Sequence, residues 1–351
     1  GGDVNAMFHV GLLNELGGPS QCGPNPNEEE AVRWFELAAY RKHTEAQYSL
    51  AKVLARKEDP EALRLFRKAS DTGHIRSTFE LGTIFLEGRL GTGIPNPGKA
   101  CRHLRAASDG GLLEAHLPAA LAALKTRRPE PADTALVCLT RAVDQADDPE
   151  AKFLLGELHA NGCGGGEGPD LKKAVTWYRR AAGQNHAKAQ YQLGVMYEEG
   201  RGAPKSYKGG LAWYRKAAEQ GIADAQYRLG VALEPEEMSA LEASNWYRKA
   251  AEQGHVEAQY SLGSMFEEGR GVKKSNSEAA FRYLLAAEKG HDDAQFSLGI
   301  MYEKGKGVPE DIKEAVKWYK KAGKSGNADA QFGLGYLYQH RRVPQSDGKP
   351  G

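Results

Sequence analysis

The sequence predicts an all-α fold, a solenoid of helix pairs stacked along the chain, and three observations predict it. A short pattern of the type Ala-Gln-Tyr-x-Leu-Gly recurs ten times in the 351 residues, with a period of about 36. A second block, often containing a Trp-Tyr pair, follows each of the first nine copies. Both blocks carry apolar residues at helical spacing, and short glycine-containing turns separate them.

The first block is predicted to form helix A of each repeat. In the copy at 258–263, AQYSLG, the residues Ala258, Leu262 and Phe266 are spaced i, i+4, i+8 and share one helix face. The last position is glycine in eight of ten copies, although glycine inside a helix costs about 1 kcal/mol relative to alanine. We therefore expect a neighbouring helix to approach closely there. The copies end at residues 11, 51, 82, 120, 156, 194, 230, 263, 299 and 335.

The second block is predicted to form helix B. All five tryptophans of the chain fall at one position of this block, and an aromatic residue or leucine follows that position in every copy. The indole is therefore expected to fill space between helices, while the nearby pairs such as Ala217-Ala218 and Ala250-Ala251 are expected to face the glycine of helix A. The tryptophans are Trp34, Trp177, Trp213, Trp246 and Trp318, and the other copies carry Leu65, His103, Cys138 and Arg282.

The ends of helix B carry their own signals. An N-cap residue with glutamate three positions later precedes four copies, which is the spacing of a capping box. Asn96 followed by Pro97 gives a further start, with proline at the first helical position. A glycine suited to a left-handed C-terminal cap follows six copies. The N-cap residues are Asn27, Ser239, Ser275 and Asp311, and the glycines are Gly73, Gly111, Gly221, Gly254, Gly290 and Gly326.

These motifs resemble the Sel-1-like repeat (SLR) family, a relative of the tetratricopeptide repeat. Residues 189–221, 258–290 and 294–326 meet the family pattern closely. The resemblance implies a right-handed α-solenoid superhelix of about nine helix-turn-helix SLR repeats plus a final single helix.

The resemblance covers nearly the whole chain, so residues 1–350 are expected to form one continuous solenoid. Within it, residues 1–150 are divergent repeats and residues 151–340 are regular repeats. Residues 341–351 are expected to be a terminal tail or the start of a further repeat. Departures from the pattern concentrate at 51–66, where the turn is short, and at 115–146, which lack both Leu-Gly and Trp.

Composition excludes several classes of protein. The formal net charge is +1, so no global field favours nucleic acid or an anionic membrane. No apolar run approaches the roughly 20 residues that span a bilayer. The four cysteines form no CxxC pair, and no HExxH or GxSxG motif occurs. We therefore predict no catalytic, cofactor-binding or metal-binding residue. The chain begins with Gly1, so we expect a processed, trimmed or partial soluble chain from which any targeting sequence would be missing, and the compartment is not indicated.

Three recurring features have a structural interpretation. The turns 200–202, 269–271 and 305–307 have the form Gly-Arg/Lys-Gly, but no strand precedes them, so they are predicted to be turns between helices A and B and not phosphate loops. Carboxylate pairs such as Glu198-Glu199 and Glu267-Glu268 are interpreted as a solvated edge. Five histidines just past helix B lie one per repeat, too far apart to share a metal, and are predicted to contact the C-terminus of helix B. They are His43, His74, His186, His255 and His291.

The leading functional hypothesis is a protein-protein interaction scaffold, an adaptor or assembly-factor subunit of a larger complex, that binds partner peptides or helices and catalyses nothing. By analogy with tetratricopeptide repeats, the binding face would use positions of helix A that are free to vary. Two polar residues at the tryptophan position are further candidates. The candidate partner-binding residues are Glu257, Ser264, Glu267, Asp293, Ile300, Glu303, Arg282 and His103.

Two other classes stay open, an RNA-binding helical repeat protein and an enzyme with a site in one irregular repeat. The last helix A is followed by a segment, 341–349, that resembles the next turn but has no helix B after it. We expect the array to continue beyond this chain, or a protein partner or second copy to cover that end. Leu334, Tyr336 and Tyr338 are accordingly predicted to be part of an interface or unusually mobile.

Overall fold

The structure, a computed structural model, describes residues 3–16, 27–125, 130–162, 168–235 and 237–340. Within these ranges it contains nineteen α-helices, two short 3-10 helices and no strand. The helices are α1 (Val4–Leu16), α2 (Glu28–Tyr40), α3 (Thr44–Arg56), α4 (Glu61–Asp71), α5 (Ile75–Glu87), α6 (Pro97–Asp109), α7 (His116–Leu124), α8 (Glu130–Ala146), α9 (Pro149–Ala160), α10 (Leu171–Gly183), α11 (Ala187–Glu199), α12 (Tyr207–Glu219), α13 (Ala223–Leu233), α14 (Ala240–Glu252), α15 (Val256–Glu268), α16 (Asn276–Glu288), α17 (Asp292–Lys304), α18 (Ile312–Lys324) and α19 (Ala328–Gln339).

The alternation of helices matches the predicted repeat. The odd-numbered helices are the ten copies of helix A, and the even-numbered helices are the nine copies of helix B. The all-α fold, the nine helix pairs and the final single helix are therefore confirmed for the described residues, including the irregular segments 51–66 and 115–146. The right-handed sense of the superhelix remains a prediction. Cys22, Cys163 and the tail 341–351 lie outside the described residues.

The chain divides into two compact units, residues Gly1–Arg180 and Ala181–Gly351. In each unit the core centres on the residue that follows the tryptophan position of helix B. Phe35, Phe66 and Leu104 of the first unit are at most 1% exposed, and Tyr247 and Tyr319 of the second unit are equally buried. The single continuous array over 1–350 is a prediction that this division does not test.

Most predicted ends of helix B are confirmed. The side chains of Asn27, Asn96, Ser275 and Asp311 accept hydrogen bonds from backbone N–H groups of the first turn. The prediction for Ser239 was wrong, because this residue ends a 3-10 helix, Glu237–Ser239, with φ −101° and ψ 0°. Its backbone is not extended, and its side chain makes no capping hydrogen bond. All six predicted C-terminal glycines have φ between 86° and 101°.

The side chains of the five recurring histidines lie at the start of helix A, which corrects the prediction made for them. In each case Nδ1 accepts a hydrogen bond from the backbone N–H three residues later, at 3.1–3.2 Å. The backbone N–H contacts helix B, as His255 N shows by donating to Ala250 O at 3.1 Å. Asn327 and Asp148 occupy the same position and cap helices α19 and α9 in the same way. These histidines are N-caps.

Candidate interaction surface

The recurring glycine of helix A accommodates a side chain of the helix B that follows it. A Cβ atom added to Gly230, Gly263 or Gly299 would lie 2.5–2.7 Å from the ring of the tyrosine after the tryptophan position. Gly82 receives Leu104 in the same way, at 2.5 Å. The close approach was predicted correctly, but its partner was not. The ring, and not the Ala-Ala pair of helix B, faces the glycine.

The same tyrosines are anchored at their hydroxyl end. Each donates a hydrogen bond to a glutamate near the end of helix A in its own repeat. Burial first, and then this carboxylate, raise the pKa of Tyr214, Tyr247 and Tyr319 above the ordinary value. The Oη–carboxylate distances are 2.5 Å for Tyr178–Glu157, 2.6 Å for Tyr214–Glu198, 2.6 Å for Tyr247–Glu234, 3.0 Å for Tyr283–Glu267 and 2.8 Å for Tyr319–Glu303.

The indoles pack between helices under a basic side chain. Trp246 and Trp318 are buried, at 9% and 4% exposure, while Trp34, Trp177 and Trp213 are half-buried. Lys249 Nζ lies 4.1 Å from the ring centre of Trp246, and Lys321 Nζ lies 4.0 Å from that of Trp318. A cation three residues after the indole thus covers its outer face, a favourable cation–π arrangement.

The two polar residues at the tryptophan position behave differently. The ring of His103 stacks on Phe85 with centroids 5.6 Å apart and planes 11° apart. Burial, followed by the positive charges of Arg102 and Arg67, lowers the pKa of His103, so the ring packs as a neutral group. Arg282 is half-buried, with its guanidinium 5.3 Å from the ring of Phe281, which is 50% exposed. Phe281 and the 19%-exposed Arg282 side chain therefore reach the surface, although Arg282 Nε is buried with no hydrogen-bond partner among the described residues, whereas His103 is part of the packing.

The predicted binding positions on α15 and α17 divide into exposed and internally bonded residues. Glu257 and Asp293 are exposed at the first turns of these helices, although Asp293 accepts a hydrogen bond from Asn327 Nδ2 at 3.2 Å and Glu257 lies 3.6 Å from His255 Nδ1. Ser264 is half-buried and its hydroxyl donates to Glu268 at 3.2 Å. Ile300 is half-buried and packs against the cluster formed by α18 and α19. Glu267 and Glu303 are half-buried and hold the tyrosine hydroxyls described above.

The glycine turns join one repeat to the preceding one. A Cβ atom on Gly271 would lie 2.2 Å from Ala240 O, and one on Gly307 would lie 2.2 Å from Asn276 O. Each second glycine thus lies against the first turn of the preceding helix B. Arg270 adds ion pairs to Glu234, at 2.8 Å, and to Glu268, at 2.5 Å. These contacts give the turn a packing role, as predicted, and the edge of glutamates is partly paired.

The role of a recurring glutamine, the second residue of the Ala-Gln-Tyr pattern, was missed. Its amide donates to a carbonyl in the last turn of the preceding helix B, as in Gln226 Nε2 to Ala218 O at 3.1 Å, a carbonyl that also accepts from Gly221 N. The amide oxygen of Gln226 accepts from Gln253, which follows helix B of the same repeat, at 2.8 Å. The buried oxygen of Gln259 has no partner, because Lys289 replaces the second glutamine and donates to Gly254 O at 2.8 Å instead. The recurrence of both glutamines in the sequence was the signal that could have predicted this hydrogen bond.

The last described helix differs from the other copies of helix A. No heavy atom lies within 4 Å of a Cβ added to Gly335, the position where other copies receive a ring. Leu334 is half-buried, whereas Leu298 at the same position of α17 is 1% exposed. Tyr336 and Tyr338 are 44% and 48% exposed. The packing face of α19 is therefore open in the described part of the chain.

Three recurring features define a helical-repeat protein: paired helices, a glycine of helix A that contacts a ring of helix B, and a capping residue before helix A. A family model described as the Sel1 repeat matches most of the chain, and the chain therefore belongs to the Sel1 repeat family. The segment 113–148 lies between two matches and contains α7 and α8. The matched residues are 4–43, 44–74, 75–112, 149–186, 187–222, 223–255, 256–291, 292–327 and 328–349.

Solved structures support this assignment. A Sel1 repeat protein from Oxalobacter formigenes is 28% identical with a TM-score of 0.70, and the match covers 95% of this chain and 93% of that one. The protective antigen c5321 of uropathogenic Escherichia coli, which displays an SLR fold, is 26% identical with a TM-score of 0.61. That match covers 97% of this chain and 80% of the antigen.

A curated relative is similar over a shorter stretch. Uncharacterized protein NMB1327 of Neisseria meningitidis serogroup B is 30% identical over 138 residues. These residues are 38% of this chain and 28% of the length of that relative. In the part of the chain that the structure describes, no helix is both long and apolar enough to cross a bilayer.

Proposed function

We propose that this protein is an interaction scaffold, an adaptor or assembly-factor subunit of a larger complex with no catalytic activity of its own. The observation that carries the proposal is that the recurring tyrosine, histidine and glutamine side chains form hydrogen bonds within the fold. The tyrosine hydroxyl binds glutamate, the histidine caps a helix, and the glutamine binds a carbonyl, as in Tyr247, His255 and Gln226. Several residues that differ from repeat to repeat, such as Glu257 and Phe281, are exposed, and a repeat protein binds its partners at such surface positions.

Two surfaces would contact the protein partner. The first contains the exposed carboxylates Glu257 and Asp293, with Arg282 beside Phe281 as a separate anchor. The second is the open face of α19, where a ring from another helix would fill the empty space over Gly335. Leu334, Tyr336 and Tyr338 border that space. A partner helix with an aromatic residue would reproduce there the contact that Tyr319 makes with Gly299.

Crosslinking and mass spectrometry of the native complex test this proposal. The chain would carry a photoreactive residue at position 257, 293 or 336, with a matched substitution at Tyr40, which is 90% exposed on α2. We expect one protein to crosslink at the first three positions and not at Tyr40. Equal crosslinking at all four positions would contradict the proposal. So would the absence of any crosslink together with migration of the chain as a monomer at its native abundance.

A further inference from the structure

A groove separates α6 from α8 in the first compact unit and encloses about 570 Å³. That volume is within the range of small-ligand and peptide-anchor sites. Arg102 and Arg105 line one wall, Val137 and Arg141 line the other, and Cys138 lies between. All of these residues belong to neighbouring copies of helix B.

The groove exists because Cys138 occupies the tryptophan position of α8. In α14 the equivalent Trp246 fills this space, held by Glu242 at 3.2 Å and covered by Lys249 at 4.1 Å. The residue that corresponds to Lys249 is Arg141, three positions after Cys138, and it has no indole to cover. The groove therefore lies where an indole is missing. Its α8 wall falls in the segment 113–148 between two matches of the family model, and its α6 wall falls in the matched residues 75–112.

The two walls carry three arginines and two aspartates, a net charge of +1. Asp109 is shared by two guanidiniums, with Arg141 at 2.5 Å and Arg105 at 3.6 Å. Arg102 forms no ion pair with a described residue, and its Nε donates to Gly98 O at 3.5 Å. Ion pairs as exposed as these contribute only about 0–1 kcal/mol. Arg105 Nη1 also donates to Thr134 Oγ1 at 3.2 Å across the groove. A ligand carboxylate, which guanidiniums bind in a bidentate manner, would compete with these exposed contacts.

Thr134, Val137 and Cys138 form an uncharged stretch of the α8 wall. Val137 is 49% exposed, and Cys138 is buried beneath it. Burial is the first cause that raises the pKa of the thiols of Cys101 and Cys138, so both are protonated near neutral pH. Thiols in this state behave as small apolar groups. An aliphatic side chain would therefore be accepted between the arginines.

We propose that this groove binds an acidic segment of a partner protein, with carboxylates on Arg102, Arg105 and Arg141 and an aliphatic side chain on the exposed Val137. This inference rests on the proposed scaffold function and names the chemistry of one partner. No aromatic ring lines the groove for a base to stack on, which single-stranded nucleic acid would require. Asp109 and Asp133 also interrupt the arginines, so a continuous phosphate backbone fits the walls less well than spaced carboxylates.

The test uses the full chain and two labelled peptides, one of alternating glutamate and leucine and one of alternating glutamine and leucine. Fluorescence anisotropy is expected to show binding of the acidic peptide only, weakening as salt increases. Cys138→Trp refills the groove and is expected to weaken binding at least about tenfold. Arg105→Gln with Arg141→Gln provides a second variant of the same expected effect, and the melting curve of each variant reports folding.

Lys249→Gln is the matched control, since it removes the equivalent cation where the indole is present, and it is expected to leave binding unchanged. Equal binding of both peptides, unchanged binding by the folded Cys138→Trp variant, or tighter binding of a single-stranded oligonucleotide would overturn the proposal. Failure of the groove and failure of the scaffold function are distinguishable. If a native partner crosslinks equally to wild type and to the arginine variant, the groove proposal is refuted and the scaffold proposal stands. If the chain binds the acidic peptide but has no native partner, the scaffold proposal is refuted instead.

Discussion

Gly263 of α15 lies directly against the ring of Tyr283 of α16, where an added Cβ atom would stand 2.7 Å from Cδ1 of the ring. The same pair recurs in most repeats, which explains a glycine inside a helix. We predict that Gly263→Ala destabilises the chain by about 1–3 kcal/mol through overpacking, despite the better helix propensity of alanine. The change in urea midpoint at constant m-value measures it.

Gly335→Ala is the control for this substitution. It has the same position in its helix, but nothing lies within 4 Å of the new methyl group. Alanine is expected to stabilise α19 there by up to about 1 kcal/mol. Equal destabilisation at both glycines would show that the ring contact is not the reason for glycine.

Lys289→Gln is predicted to stabilise the protein. The new amide would donate to the unpartnered Oε1 of Gln259, as Gln253 does to Gln226, and a buried hydrogen bond of this kind contributes about 1 kcal/mol. Lys289→Ala controls for loss of the bond from Lys289 to Gly254 O. Thermal unfolding should rank glutamine above lysine and lysine above alanine. A glutamine variant no more stable than the alanine variant would contradict the pairing.

His255→Ala is predicted to cost about 1 kcal/mol, the usual loss for an N-cap. The reason is that Nδ1 accepts the backbone N–H of Ala258 at 3.2 Å. His255→Asn should retain most of the stability, because Asn327 performs the same function for α19. Hydrogen exchange at the first turn of α15 would locate the effect. Equal losses for alanine and asparagine would argue against capping.

Tyr247 is predicted to make stability depend on alkaline pH. Because its pKa is raised in the folded state, its contribution is complete below the unfolded pKa of about 10 and is lost as the pH rises towards the folded pKa. Tyr247→Phe should be less stable at neutral pH, since the bond to Glu234 is lost, but its stability should fall less steeply above pH 10. Urea midpoints between about pH 8 and pH 11 measure both effects.

The exposed Tyr40 provides the comparison, and Tyr40→Phe should change neither the stability nor its dependence on pH. If the stability of wild type and of Tyr247→Phe fell equally steeply with pH above pH 10, the titration of Tyr247 would not be the cause of the loss. Lysines titrate in the same range, so the difference between variants, and not the slope of wild type alone, carries the result.

Trp246→Ala is predicted to cost about 3–5 kcal/mol, as for other buried aromatic residues. Trp213→Ala should cost less, since its indole is half-buried. Arg270→Ala, which breaks two exposed ion pairs, should cost no more than about 1 kcal/mol. Chemical unfolding of the three variants checks this order. Similar costs for tryptophan and arginine would mean that the indole is not a packing residue.

Periodicity predicted the helices and their order, because the spacing of Ala258, Leu262 and Phe266 is a local property of the sequence. The side chain that packs against the glycine of helix A could not be predicted in this way. The Ala-Ala pair and Tyr283 lie on the same helix B, and only the packing of helix against helix decides which of them meets Gly263.

The histidines show a related limit. A residue just past helix B also stands just before helix A, and its sequence position is the same in either account. Asn327 and Asp148 at this position were the signal for an N-cap that the sequence contained. The arginine groove needed the structure, since Cys138 was visible as a departure but the approach of α6 to α8 was not.

The caps recur at fixed offsets, and this has a consequence for how such a chain changes over generations. If residues 256–291 were deleted, His255 would stand three residues before Ala294, as it stands before Ala258 now. The junction would keep its bonds without any compensating substitution. Duplication or deletion of the encoding segment can therefore lengthen or shorten this protein by whole repeats. The number of repeats can then change in evolution while the structure of each repeat stays the same.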